Sequence, residues 1–337
     1  MTMRARELLT EDQLLAVRER HDWKAAACIL HAWALVFGAM ALFVWWPNVV
    51  TFILAAAIIG ARQLGLSILM HDGAHGLLFK NERLNHLASQ WLLAWPVGAD
   101  MPAYRRYHLK HHARTQQEDD PDLVLSAPFP ITRPSFYRKL WRDITGQTGY
   151  AQRSAQVSAG LSKGKPLADW NTWFENLKDK IGGPLAANAV LFAGLALAGY
   201  WWLYPLLWLL PLLTFFQLFL RLRNIAEHAM VGDKDDPFRH ARTTLADPIT
   251  GTFLAPYWVN YHVEHHLLMW VPCYNLPKFH RYLMAGPHGH KLLVSPNYLD
   301  VLRLTTSRPK DEDQGGNRVQ TKRRRYSGIV MEEEHPA

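Results

Sequence analysis

The chain has 337 residues, with 37 Lys and Arg against 29 Asp and Glu for a net charge of +8. That length holds one or two domains, and the positive excess suits an anionic membrane surface, an acidic partner or nucleic acid. No nucleic-acid motif is present, so nucleic acid is not expected as a partner. The two cysteines, Cys28 and Cys273, give neither a disulfide framework nor a CxxC site.

Residues 1–24 read as a cytoplasmic amphipathic helix. Thr10 is its N-cap, Gln13 stands at the N3 position of a capping box, and Leu9 with Leu14 forms a hydrophobic staple. The helix is expected to lie on a membrane surface. No cleavable signal peptide is expected, because the first apolar run begins only near residue 25 and is too long for one. Residues 25–70 read as a first transmembrane hairpin. An uncharged run of about 20 residues crosses the bilayer core, Trp45-Trp46-Pro47-Asn48 makes an aromatic turn, and the return run is broken only by Arg62. Arg62 is expected to snorkel or to pair inside the bundle.

Residues 71–183 are read as a cytoplasmic region. It opens on His71-Asp72-Gly73-Ala74-His75, two histidines one helical turn apart. The apolar stretch 84–99 is too short to cross and is expected to be an interfacial or re-entrant helix broken at Pro96. His108, His111 and His112 then stand at i, i+3 and i+4, on one helix face. The acidic run 118–122 is either a solvated turn or a source of carboxylates for the second ring nitrogen of metal-bound histidines. Two amphipathic pieces follow, one on Phe136, Tyr137, Leu140, Trp141 and Ile144, the other on Trp170, Trp173, Phe174, Leu177 and Ile181. The Ser-, Gly- and Lys-rich stretch 152–165 between them is expected to be a mobile loop.

Residues 184–222 predict a second transmembrane hairpin, divided at Gly199–Pro205. Every Lys and Arg except Arg62 lies outside the two apolar blocks. The positive-inside rule therefore places both termini and the insert in the cytoplasm, and all the histidine clusters fall on that side. Residues 223–306 carry Asn224 and His228 at i, i+4, then Tyr261-His262-Val263-Glu264-His265-His266, and a proline-punctuated loop leading to His280. Residues 307–337, with Lys322–Arg325, read as a disordered tail whose basic cluster can touch anionic lipid.

The clusters contribute His71, His75, His108, His111, His112, His228, His262, His265 and His266. One zinc takes about four ligands, so nine imidazoles suit two metals with four or five nitrogens each. HExxH, GxGxxG, P-loop and CxxCH motifs are absent, which argues against a zinc protease and against direct use of a dinucleotide or a fused haem. His21, His31, His86, His240, His288, His290 and His335 lack partners at ligand spacing and are read as structural or solvated.

The order HDGAH, HLKHH, NIAEH, HVEHH, interleaved with apolar hairpins, resembles the integral-membrane fatty acid desaturases with a histidine-box di-iron centre. The resemblance runs from about His71 to about His280, and the whole domain is taken as about 45–300. It implies an all-α integral membrane fold with four transmembrane helices in two hairpins and a cytoplasmic helical cap that holds the di-metal site. It implies that the nine histidines ligate two iron ions, with Asn224 binding through a water. The family has an acidic DPD-type sequence after its second box, which makes Asp122 the leading carboxylate behind the ligands; Asp72, Glu264 and His280 are further candidates for that supporting role. The third box begins with His262 rather than the Gln of front-end desaturases, which argues against that subgroup.

The implied reaction inserts a double bond into a fatty acyl chain with O2 as co-substrate and an external electron donor, a ferredoxin or a separate haem cytochrome. The expected location is a bacterial inner membrane. A hydroxylase or ketolase of a lipid, carotenoid or other hydrocarbon is the alternative. A membrane metal transporter is remote, since only His31 lies at mid-membrane depth in the apolar blocks.

Overall fold

The computed structural model describes residues 5–161, 178–232 and 235–308. It is mostly helical, and its strands are limited to a two-residue parallel pair, Thr243–Thr244 (β1) beside Val294–Ser295 (β2). The capping box forms as the sequence predicts. Thr10 accepts from Gln13 N, and the Gln13 side chain accepts from Thr10 N. The helix it starts, Glu11–Arg18, does not stand alone. It packs on Leu276–Ala285, and Asn275 Nδ2 donates to its last carbonyls, Val17 O at 3.0 Å and Glu19 O at 2.9 Å.

The first hairpin is the pair Asp22–Trp45 and Val49–Ala74. Asn48 caps the return helix by accepting from Val50 N and Thr51 N. The hairpin is apolar outside as well as inside. Leu30, Phe37, Trp45, Val49, Val50 and Ile53 are exposed, a contiguous oily surface of the kind a bilayer covers. Arg62 is buried and paired within the bundle, donating to Thr252 O with its guanidinium 5.7 Å from the Tyr257 ring centre.

Among the described residues three helices are long and apolar enough to cross a membrane: Asp22–Trp45, Val49–Ala74 and Tyr204–His228. The fourth expected span, Gly183–Leu197, has 15 residues, about 22 Å at 1.5 Å per residue against a core of about 30 Å. The reason is local. The turn before it, Lys178–Gly182, is charged and wound as a π-helix, and Gly199 at φ 84° ends it early. Tyr204–His228 is itself irregular, with a π-turn over Tyr204–Leu209 and a break at Thr214 (φ -117°, ψ -88°) before the last stretch, Phe215–His228.

The short apolar stretch forms Glu82–Ala88, a π-turn at Ser89–Ala94 and a 3-10 turn at Trp95–Val97, ended by Gly98 in the left-handed region at φ 72°. Its Gln90 sets the next element in place. Gln90 Nε2 donates to Asp100 Oδ2 at 2.8 Å, and Asp100 caps the box-two helix, Met101–Arg114, by accepting from Ala103 N.

The stretch read as a mobile loop is a helix, Gln147–Leu161, up to the end of the described residues there. Tertiary contact overrides its weak local signal. Arg153 donates to Val97 O at 2.6 Å and Gly98 O at 3.1 Å, and Gln156 donates to Gly98 O at 2.6 Å. The helix thus supplies the hydrogen bonds that the broken helix end cannot make itself. The first amphipathic piece is the helix Arg133–Ile144. Trp170, Trp173, Phe174, Leu177 and the tail from 309 lie outside the described residues.

Candidate metal centre

Helix geometry places each histidine group, and the helix ends bring the groups together. His71 and His75 stand at the C-terminal end of Val49–Ala74, and His228 ends Phe215–His228. His108, His111 and His112 share a face of Met101–Arg114, while His262, His265 and His266 share a face of the short helix His262–Leu267. Five of the imidazoles, from His71, His75, His108, His112 and His265, place ligand atoms within 4.8 Å of one another. His111, His228 and His266 form a second group, and His228 and His262 join Glu227 in a third that overlaps it. All nine histidines are therefore in two adjoining clusters.

The ring nitrogens converge as metal ligands do. Nε2 of His112 is 2.8 Å from Nε2 of His108 and 2.9 Å from Nε2 of His265. In the second cluster Nε2 of His262 is 2.7 Å from that of His228 and 3.2 Å from that of His266. Two nitrogens each about 2.1 Å from one ion, at right angles, are about 3.0 Å apart. His71 and His75 each have a buried Nε2 with no hydrogen-bond partner, which is costly unless something else binds it. The residues fit a pair of imidazole-loving metals, iron among them.

Two of the outer ring nitrogens, those of His111 and His266, are held as metal sites require. His111 Nδ1 is 2.8 Å from Asp120 Oδ1. Asp122, the carboxylate favoured from sequence, is further from that nitrogen at 3.7 Å and accepts instead from the Tyr107 hydroxyl. Asp120 reaches the ring because the chain turns at Gln116 (φ 63°), whose N–H donates to Asp120 Oδ2 at 2.8 Å. His266 Nδ1 meets Thr115 Oγ1 at 3.3 Å, and Tyr104 stacks on His108 with ring centres 5.1 Å apart.

The other three candidates, Asp72, Glu264 and His280, hydrogen-bond away from the two clusters. Asp72 Oδ2 accepts from Cys273 N at 2.8 Å, tying box one to the loop after box three. Glu264 is fully buried, accepts from the Thr243 hydroxyl and lies 2.5 Å from His280 Nδ1. This chain fixes the box-three helix against β1. Asn224 lines a cavity of about 30 Å³ with Tyr104, Asp122, Glu227, His228 and His262, and its Oδ1 accepts from Arg223 at 3.2 Å.

Two neighbours were not read from the sequence. Glu227 is buried beside His228 and His262, and its only signal was adjacency to His228. His240 lacks ligand spacing altogether, yet its ring is 5.5 Å from that of His266 and its Nε2 is buried without a partner.

Burial sets the charge state of the site. It pushes His75, His108, His112, His262, His265 and His266 well below the ordinary histidine range, and neighbouring imidazoles add to the effect. Burial also opposes charge on His111, but its hydrogen bond to Asp120 and the charges of Asp122 and Asp120 outweigh it and hold that ring above the usual value. Neutral imidazole is the form that binds metal.

The sign for stability follows. For the six depressed rings the unfolded chain takes up more protons below its own value of about 6.5, so their stability is present above that pH and lost as pH falls through it. His111 acts in the opposite sense. Thermal melts of metal-free protein should be level above about pH 7.5 and fall between about pH 6.5 and 5. A melting point that rose on acidification would mean the rings are not buried and neutral.

Asp120→Ala should weaken metal binding about 10–100-fold, because His111 loses its orienting carboxylate. Asp122→Ala should weaken it less. Metal titration of the two variants side by side checks the order, and equal losses would contradict it.

Long apolar helices that end in buried histidine clusters able to hold metal define a class of membrane protein. The fatty acid desaturase family model matches residues 44–298, and the chain belongs to that family. It is 28% identical over 261 residues to a dihydrorhizobitoxine desaturase of Bradyrhizobium elkanii, covering 74% of this chain and 72% of the relative. It is 28% identical over 219 residues to a zeaxanthin 4-ketolase of Chlamydomonas reinhardtii, covering 64% of this chain and 40% of that protein. A 90-residue stretch, 26% of this chain and 20% of the relative, is 32% identical to fatty acid desaturase 3 of Bos taurus.

Proposed function

We propose that the protein is an oxidoreductase, a membrane acyl-lipid desaturase that inserts a double bond into a fatty acyl chain. It uses two iron ions, O2 and electrons from a separate donor, an acidic ferredoxin or a haem cytochrome. The observation that carries the reading is the convergence of nine histidines, six of them buried and three half-buried, at the ends of apolar helices. A bound iron pair would supply the oxygen-dependent attack on an unactivated C–H bond that no side chain can make.

The chain's own residues prepare that chemistry. The box helices aim neutral imidazoles inward, Asp120 and Thr115 hold the outer nitrogens of His111 and His266, and Glu264 with His280 and Thr243 holds the box-three helix in register. The apolar helices keep water from the site and offer a hydrocarbon-compatible approach to it. In this reading both termini and the centre face the cytoplasm of a bacterial inner membrane, and Gly183–Leu197 serves as a short fourth span.

A hydroxylase or ketolase reading is kept because one relative bears the name zeaxanthin 4-ketolase. Mass spectrometry of lipids from cells making the protein separates the two. Loss of two hydrogens from an acyl chain supports the desaturase, and an added oxygen supports the alternative. No new product from any lipid, with metal-loaded protein and a donor present, would overturn both.

A further inference from the structure

The two clusters are not alike. The first consists of five imidazoles from His71, His75, His108, His112 and His265. The second has His111, His228, His262 and His266, and it also has a carboxylate. Glu227 lies with His228 and His262 in a group whose ligand atoms are all within 4.8 Å of one another. We propose that Glu227 is an anionic ligand of the second metal, giving that cluster four imidazoles and one carboxylate. The proposal rests on the reading of the site as a two-metal centre and adds an asymmetry that the histidine pattern does not contain.

Four observations carry it. Glu227 is 2% exposed and sits at the buried end of its helix, where an anion without compensation is strongly disfavoured. One of its oxygens is already satisfied, since Oε1 accepts from Arg223 Nε at 2.6 Å. The other, Oε2, faces His262 Nε2 at 3.5 Å. That is too long for a good hydrogen bond, and it lies within the about 3.0–3.6 Å between neighbouring ligand atoms of a five-coordinate ion with bonds of about 2.1 Å.

The backbone beneath is fixed as well. Arg242 N donates to Glu227 O at 2.8 Å, and the Arg242 guanidinium donates to Ala229 O at 2.8 Å and Met230 O at 2.9 Å. A cation thereby closes the C-terminal end of the helix that carries Glu227 and His228. This is the preorganised support that a ligand requires. Arg223 has the role of the partner that orients a ligating carboxylate.

A merely structural ion pair would behave differently, and two variants separate the cases. Glu227→Gln removes the charge and keeps the shape. Arg223→Gln removes the partner and keeps the carboxylate, which a bound metal then neutralises. Purified parent, loaded with ⁵⁷Fe, should hold about two irons per chain. E227Q should hold one iron as tightly as the parent and the other at least ~100-fold more weakly, with one Mössbauer doublet altered or lost. R223Q should keep both doublets and weaken binding of that same iron less than E227Q does, by no more than about 10–100-fold.

The proposal is overturned if E227Q keeps both irons and both doublets unchanged, or if the two variants lose the same iron to the same degree. Infrared difference spectra of the parent, Zn²⁺-loaded minus metal-free, serve if a variant does not fold. A shifted carboxylate stretch is expected, and its absence overturns the assignment. A parent that binds no metal at all refutes the two-metal reading itself, and this proposal with it.

Discussion

His265→Ala is expected to abolish turnover and to empty the five-imidazole cluster while leaving the chain folded. His265 is 3% exposed, its Nε2 is 2.9 Å from that of His112, and its ring centre is 4.3 Å from that of His71. No neighbouring ring stands ready to replace it. Residues that only orient a ligand are worth about 10–100-fold in affinity or activity, so loss of a ligand should cost at least ~100-fold. The fold survives because Glu264, not His265, anchors the helix to Thr243 and His280. Iron content, Mössbauer spectra and product formation on the same preparation check the result. Full metal content with near-parent turnover would refute the metal reading. His86→Ala, outside both clusters, is the control and should change neither.

Asp143→Ala should be the most destabilising change away from the centre. Asp143 is fully buried on the helix Arg133–Ile144. It accepts from Arg221 on the last stretch of the third long helix at 2.8 Å and from the Thr148 hydroxyl at 2.6 Å. Removing one partner of a buried pair costs about 3–5 kcal/mol. Arg221 is partly solvated, with 27% of its side chain exposed, so the lower end of that range is expected. Removing Arg221 as well should recover part of the loss, since the stranded charge then goes too. Detergent-phase unfolding of the two single variants and the double variant tests this, and additive losses would show that the pair is not coupled.

How much of this was legible follows from whether the signal was local. His108, His111 and His112 show their shared face by spacing alone, and Thr10 with Gln13 announces its helix by spacing too. The two long helices of the first hairpin are equally plain, since length and uninterrupted apolarity are local properties. Asp120 and Glu227 were harder. Asp120 lies in the acidic run read as a source of carboxylates and Glu227 adjoins His228, but which carboxylate reaches which ring depends on a left-handed turn at Gln116 and on the packing of distant helices. His240 was passed over because its neighbour His266 is 26 positions away. The helix Gln147–Leu161 was misread for a similar reason. Its Ser and Gly content favours a loop, while what holds it is Arg153 reaching two carbonyls more than 50 residues back. The shortness of Gly183–Leu197 escaped because an uncharged run gives no sign of where a π-turn or an early glycine bounds the helix.

The docking of the first helix on the last quarter of the chain has a temporal consequence. Asn275 binds carbonyls 256 and 258 positions earlier, Tyr274 accepts from His21 N, and Arg20 donates to Gly76 O beside box one. Val17, Glu19 and His21 are thus secured by residues made more than 250 positions later. Closing a loop of that length costs about 3 kcal/mol more than closing one of ten residues, a cost that falls when the intervening helices have already assembled. The N-terminal helix therefore acts as a completion latch. A nascent or truncated chain ending before residue 275 can carry all nine histidines and still lack the clasp that joins the front of the protein to its third box.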